Sequence, residues 1–129
     1  MHMLVEQRTY DISPGIPLKD FLDNYERLGL PAQKRILGGF LGYFTTEFGT
    51  QNQVRHFWAY SDLEDRRQRR AALAADHEWQ ACIEIVRPMI IRWDNSIMYP
   101  TSFSPIRQLP VRADDEEGTI FNPLGGGSR

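Results

Sequence analysis

Residues 54–60 alternate between two kinds of side chain, which predicts a β-strand. Read with a period of two, His56, Trp58 and Tyr60 fall on one face of this strand. Aromatic and β-branched residues favour a strand, and the polar residues 49–52 before it are typical of a turn. One face therefore carries an ionisable ring, an indole and a phenol, which indicates a lined cavity or an interface.

Similar patterns predict three more strands and two helical regions, each made of two helices. Alternation predicts the other strands, and apolar residues at three- and four-residue steps predict the helices. Ser61 or Asp62 can cap the third helix, and Asp76 can cap the fourth, because short polar side chains accept free N–H groups there. Gly42 suggests a bulge in the second strand. The predicted elements are strand 4–12, helices 17–28 and 31–37, strands 40–48 and 54–60, helices 62–75 and 76–87, and a last strand within 89–103.

This β-α-β-β-α-β order predicts an α+β fold, a ferredoxin-like antiparallel sheet with helices on one face. The first and third strands are then neighbours in the middle of the sheet. If Phe57 and Ala59 pack against the helices, Glu6 and Arg8 face the uncovered side together with the aromatic face of the third strand. A second copy could cover that side. We therefore expect a homodimer whose two sheets form a dimeric α+β barrel.

Length and charge exclude several classes of protein. The chain has 129 residues and a net charge of −2, which gives no electrostatic case for nucleic acid or an anionic membrane. No apolar run reaches about 18 residues, and no secretory segment is visible, so we expect a cytoplasmic protein without a membrane span. The single cysteine, Cys82, cannot form an intramolecular disulfide and is predicted to be a buried thiol.

The composition changes near the C-terminus. Residues 114–117 are acidic and residues 125–127 are glycines, which is typical of an extended arm or flexible tail. We predict one domain over residues 3–107 and an arm over residues 108–129. Met1 and His2 could be additions to a natural start at Met3.

A combination of short segments resembles the NIPSNAP family over about residues 3–107. The resemblance implies a dimeric α+β barrel and a homodimer. Animal members of the family have roles in mitochondrial quality control and vesicles. No leading transit segment is expected for this chain, so their location is not expected to carry over. The matching segments are EQRTY (6–10) with PG (14–15), LGGF (37–40) with TTEFG (45–49), VRHFWAY (54–60), Arg66 with RAAL (70–73), DHEWQ (76–80), MYP (98–100) and FSP (103–105).

Three functions remain open at this stage. The leading hypothesis is a module that binds a small ligand or a protein. The wider superfamily of dimeric α+β barrels includes cofactor-free monooxygenases and small isomerases, so the rival is a cofactor-independent monooxygenase or isomerase with a pocket around His56. The third is an interaction protein whose aromatic face is buried entirely in the dimer interface. A cavity of about 300 Å³ or more beside His56 would favour the first two over the third.

The candidate site residues follow from these hypotheses. His56 could act as a general base, oriented by Glu6, because its ordinary pKa lies near neutrality. The alternative is a hydrogen-bonded histidine of the core. The basic run 66–70 is typical of a solvated helix with salt bridges. Arg66 and Arg70 lie one helical turn apart and match the family, and this resemblance implies that they could pair with the sheet or with a partner subunit. No cofactor is predicted, and no metal is expected because the histidines lack ligand spacing. The candidate binding residues are Glu6, Arg8, Tyr10, Trp58, Tyr60, Arg66 and Arg70.

Overall fold

The computed structural model describes residues 3–109. Its elements follow the predicted order. The predicted C-terminal arm lies outside the described residues from position 110 onward, as do Met1 and His2. The elements are β1 (Leu4–Ile12), α1 (Leu18–Leu28), α2 (Leu30–Leu37), β2 (Gly39–Thr45), β3 (Gln53–Tyr60), α3 (Leu63–Ala74), α4 (His77–Val86), a 3-10 turn (Arg87–Met89) and β4 (Ile90–Met98).

Polar caps set the starts of the two later helices. The side chain of Asp62 accepts a 2.7 Å hydrogen bond from the backbone N–H of Asp65 and begins α3. Asp76 does the same for α4, accepting from the N–H of Trp79 at 2.9 Å. Each cap supplies an acceptor to a first-turn N–H that has no partner inside the helix. The predicted cap at Asp76 is confirmed, and of the two candidates for α3 the structure uses Asp62.

The four strands form one antiparallel sheet in the order β2-β3-β1-β4. This order and the helices on one face confirm the predicted ferredoxin-like fold. In the register of the two central strands, Glu6 lies opposite Trp58 and Arg8 lies opposite His56. Directly opposed residues project from the same face. The register of β2 shifts between Phe40 and Gly42, so the predicted bulge is present.

The sequence prediction of which face of the sheet packs against the helices is wrong. His56 and Trp58 are fully buried under the helices, and Tyr60 is buried as well. The ring of Tyr25 from α1 lies 6.0 Å from that of His56 and 6.3 Å from that of Trp79 in α4. Large aromatic rings bury more apolar area than small or charged side chains, so this face packs best against helices. Glu6 and Arg8 therefore also lie beneath the helices.

The opposite face of the sheet is partly covered by the chain that follows β4. Ala59 and Met3 are buried there, and Ile106 and Leu109 pack against them. The rest of this face is open, and 56% of Phe44 is exposed. Ala59 is thus buried by residues that follow β4 and not by the helices, and one of these residues, Leu109, lies in the predicted arm.

Smaller differences concern the ends of elements. The second strand ends at Thr45 and not at residue 48, and β4 ends at Met98. The buried stripe of α3 contains Leu73 but not Leu63, which is 56% exposed. Cys82 is buried as predicted, and burial raises the pKa of its thiol to about 11. Between residues 3 and 109, no helix has the length and apolar character that crossing a membrane requires.

Candidate functional site

A buried carboxylate organises the polar residues beneath the helices. Glu6 is fully buried and accepts a 3.0 Å hydrogen bond from Nη1 of Arg8. Arg66 reaches down from α3 and donates to both oxygens of Glu6, at 2.8 and 3.1 Å. Burial raises the pKa of Glu6, but the two guanidinium groups outweigh it and hold that pKa below its usual value. The predicted pairing of Arg66 with the sheet is therefore present within one chain.

Arg8 connects this ion pair to a tyrosine. Its Nε donates a 3.2 Å hydrogen bond to the hydroxyl oxygen of Tyr10, and its guanidinium carbon lies 5.8 Å from the Tyr10 ring centre. Burial lowers the pKa of Arg8, but Tyr10 and Glu6 outweigh burial and keep the pKa above its ordinary value. Because the Tyr10 oxygen accepts this bond, its own proton remains available to donate elsewhere.

Arg70 lies one helical turn beyond Arg66 but is bound differently. Its Nη1 is buried and has no hydrogen-bond partner among residues 3–109. Burial lowers the pKa of Arg70, and the nearby charge of Arg8 lowers it further. Three guanidinium groups thus surround the single carboxylate of Glu6. The cluster therefore carries an excess of positive charge.

A cavity of about 130 Å³ lies beside this cluster, between α4 and strands β1 and β4. It has room for roughly four water molecules, each occupying about 30 Å³ in the liquid. The volume is smaller than the roughly 300 Å³ expected of a ligand binder or an enzyme. The cavity is also lined by Tyr10 and not by His56, beside which it was expected. The lining residues are Arg8, Tyr10, Tyr25, Arg70, Trp79, Ile83, Val86, Arg87, Ile90 and Trp93.

His56 lies deeper than the cavity, in an aromatic environment. The indole Nε1 of Trp58 donates a 2.8 Å hydrogen bond to its Nδ1, so the neutral ring carries its proton on Nε2. The Tyr43 ring stacks on the His56 ring with their centres 4.4 Å apart. The Tyr10 ring forms a T-shaped pair with the His56 ring, and their centres are 4.9 Å apart. Burial, and then the charges of Arg8 and Arg70, hold the pKa of His56 well below its usual value.

This arrangement limits what His56 can do. The lone pair that a general base needs is engaged by Trp58. The expected orienting bond from Glu6 is absent from the contacts described for residues 3–109, where the carboxylate binds arginines. A catalytic role for His56 stays a prediction. Its Nε2, like the buried hydroxyl of Tyr60, has no partner within the described chain.

The sequence-predicted binding residues divide into two groups. Arg8, Tyr10 and Arg70 line the cavity. Glu6 does not line it, and accepts hydrogen bonds from both Arg8 and Arg66. Trp58 and Tyr60 belong to the core, where burial raises the pKa of Tyr60 to about 12. Residues 3–109 contain no cluster of three metal-ligating side chains.

Sequence reasoning missed the cavity residues on α4 and β4. Helical spacing predicts that Trp79, Ile83 and Val86 lie on the buried side of α4, and Trp79 also falls in a segment that resembles the family, but neither signal indicates a cavity. Trp93 lies directly opposite Tyr10 in the register between β1 and β4. That register depends on which strands pair, so alternation within β4 alone could not reveal it.

Comparison with known proteins identifies the NIPSNAP family, which the sequence resembles, along nearly the whole domain. The sequence profile of NIPSNAP matches residues 5–105. Human NipSnap homolog 3A is 32% identical over 124 residues, which cover 94% of this chain and 49% of the human protein. The Drosophila melanogaster protein NipSnap is matched over 36% of its length. The chain thus spans about a third to a half of the curated relatives.

Solved structures agree with this assignment. An uncharacterized NIPSNAP-like domain protein from Burkholderia xenovorans is 43% identical, with a TM-score of 0.79 over 88% of this chain and 98% of that one. A Nitrosomonas europaea protein named after antibiotic biosynthesis monooxygenases is 10% identical, with a TM-score of 0.60 over 80% of this chain and 94% of that one. This second likeness concerns the fold alone. The profile and the relatives together show that the chain belongs to the NIPSNAP family.

Proposed function

We propose that this protein is a homodimeric module that binds a small ligand in the cavity between α4 and the sheet. The observation that carries the proposal is Nη1 of Arg70, which is buried beside the cavity without a partner among residues 3–109. Buried charged donors are nearly always hydrogen-bonded, because leaving one unpaired costs free energy. A ligand atom in the cavity would supply the missing acceptor.

The surroundings of His56 favour binding over chemistry. A monooxygenase or isomerase that uses this ring as a base needs a free nitrogen lone pair facing the substrate. Here Nδ1 accepts from Trp58, and Nε2 carries the proton. The low pKa of the ring keeps it neutral near pH 7. Because Trp58 occupies the acceptor Nδ1, the ring can only donate to a further group, through Nε2. The cofactor-independent enzyme is therefore the weaker alternative.

A homodimer is proposed through the uncovered face of the sheet. Phe44 and Phe57 meet there with ring centres 5.7 Å apart, and more than half of Phe44 is exposed. Met98 at the end of β4 is 38% exposed. A second copy of the same sheet could cover these residues through a two-fold axis. The interface would then use the face opposite to the one expected from the sequence.

Two substitutions in the same helix test the ligand site. Ile83 lines the cavity, whereas Ile85 of α4 is 45% exposed and does not contribute to the lining. Ile83→Trp should fill the cavity, and Ile85→Trp is the matched control. Ligand-observed NMR would screen neutral, cationic and anionic compounds of about ten non-hydrogen atoms or fewer. We expect binding of at least one compound by the natural protein and by Ile85→Trp, and loss of binding by Ile83→Trp.

The screen can also contradict the proposal. A natural protein that binds none of the compounds would overturn the ligand site. Binding that survives Ile83→Trp would place the ligand elsewhere on the molecule.

The mass in solution tests the dimer. Light scattering should give twice the chain mass of 15.0 kDa. Phe57→Asp puts a charge on the uncovered face and should yield the mass of one chain, whereas Ile85→Asp on the helical side should leave the dimer intact. A natural protein that is monomeric at about 100 μM would exclude a dimer with a micromolar or tighter dissociation constant.

A further inference from the structure

We infer that the ligand is a small carboxylate with an apolar body. The inference rests on the proposed function, since it names the chemical class that the same cavity would hold. Three properties of the cavity lead to it: its charge, its hydrogen-bond donors and its apolar wall.

The charge of the cavity favours an anionic ligand. Its lining includes Arg8, Arg70 and Arg87, and no Asp or Glu from residues 3–109 contributes to it. Arg8 is already paired with the buried carboxylate of Glu6, and Arg87 is exposed to solvent. Arg70 is half-buried and shares the carboxylate of Glu6 with Arg8 and Arg66, and its buried Nη1 has no hydrogen-bond partner among residues 3–109. An anionic ligand would balance part of the positive charge that Glu6 leaves uncompensated.

The donors favour a carboxylate over a neutral acceptor. The guanidinium of Arg70 is planar, and its parallel N–H groups match the two oxygens of a carboxylate. The hydroxyl of Tyr10 can add a further donor, because its oxygen already accepts from Nε of Arg8. Both Tyr10 and Arg70 line the cavity. A carboxylate could therefore accept hydrogen bonds from two side chains that the fold already holds in place.

The remaining wall is apolar and favours a hydrocarbon body. Ile83, Val86 and Ile90 line the cavity away from the arginines, and Trp93 lies at its edge with 53% of its surface exposed. Inorganic phosphate would leave this wall uncovered, and the free energy of burying it would not be gained. The volume of about 130 Å³ restricts the ligand to a few non-hydrogen atoms inside the cavity, with any further part against Trp93.

Benzoate and benzamide test this inference, because they have nearly the same shape and differ in charge. Calorimetry near pH 7 should show benzoate binding at least about tenfold more tightly than benzamide, as expected for a charge-assisted hydrogen bond. Arg70→Gln should reduce this preference to within about threefold. Arg67→Gln is the control, since Arg67 is exposed and paired with Glu64, and it should keep the full preference.

Each other outcome has a distinct meaning. Equal binding of benzoate and benzamide would overturn the anionic ligand and leave the proposed ligand site standing. Absence of binding by either compound up to about 10 mM would overturn the carboxylate, and the proposed ligand site would then stand or fall by the compound screen described above. Phosphate that binds as tightly as benzoate, with the same dependence on Arg70, would overturn the carboxylate class in favour of recognition by charge alone.

Arg70→Lys is a second variant at this position, to be used if Arg70→Gln does not fold. Lysine keeps the charge but loses the planar pair of donors, so the preference for benzoate should fall to an intermediate value. An unchanged preference would contradict recognition by the guanidinium. The comparison of the two ligands on the natural protein depends on no variant at all.

Discussion

The indole N–H of Trp58 donates a 2.8 Å hydrogen bond to Nδ1 of His56, and both residues are fully buried. The two residues lie on the same face of β3, two positions apart. The bond fixes the proton of His56 on Nε2 and explains how an ionisable ring can lie in an aromatic core. His56 therefore contributes to the fold as a neutral ring.

This pair predicts a pH-dependent stability. The pKa of His56 in the folded protein lies well below its unfolded value of about 6.5. Its contribution is then fully present above pH 6.5 and is lost as the pH falls, because only the unfolded chain takes up the proton. The free energy of unfolding should decrease by up to about 1.4 kcal/mol per pH unit below that value.

Urea denaturation between about pH 7 and pH 5 measures this slope. His56→Phe should remove the contribution of this residue from the slope. His77→Gln is the matched control, because His77 is exposed, and it should retain the natural slope. A natural protein and a His56→Phe variant with equal slopes would contradict the neutral, buried ring.

The indole itself gives a second prediction. Trp58→Phe removes the donor and some buried volume, and should lower the free energy of unfolding by about 1–3 kcal/mol. Trp93→Phe changes a residue that is 53% exposed and should cost about 0.5 kcal/mol or less. Urea denaturation compares them. Equal losses for both variants would show that the bond between Trp58 and His56 adds no measurable stability.

Glu6→Gln tests the buried ion pair. Glutamine keeps the shape of the side chain but leaves Arg8 and Arg66 without their counter-charge, at a cost of about 3 kcal/mol. Glu64→Gln is the control, because Glu64 forms an exposed pair with Arg67 and a smaller loss is expected. A chemical denaturation that ranks Glu64→Gln as the more damaging change would contradict the central role of Glu6.

Gly39→Ala tests the close approach of β2 to β3. An added Cβ would lie 2.2 Å from the carbonyl oxygen of Ala59, so the backbone must move. We expect a loss of about 1–3 kcal/mol, measured by thermal or urea unfolding. Gly15→Ala is the control, because no atom lies within 4 Å of its added Cβ among residues 3–109, and it should be nearly neutral. Equal stability of the two variants would show that the strands can separate without cost.

Local pattern predicted the elements of this protein better than their packing. The bounds of β1 and the cap at Asp76 follow from alternation and from hydrogen-bonding rules within a few residues. Alternation also separated the two faces of β3 correctly. It could not decide which face meets the helices, because both carry aromatic or small apolar residues. That choice depends on rings such as Tyr25, which come from another element.

The candidate site was predicted in part for the same reason. The spacing of Arg66 and Arg70 placed both on one side of α3, and the match to the family suggested an ion pair with the sheet or with a partner subunit. The cavity depends on long-range contacts that no local pattern contains. Arg70 on α3 and Trp93 on β4 meet at it only because the sheet order places β1 and β4 side by side.

A crystal structure of the protein with benzoate tests the central claim most directly. We predict electron density for the ligand in the cavity, with its carboxylate within hydrogen-bonding distance of Arg70 and its ring against Ile83 and Trp93. Density for benzoate elsewhere, with Arg70 bound to a group of the protein and the cavity filled by side chains, would contradict the proposed site.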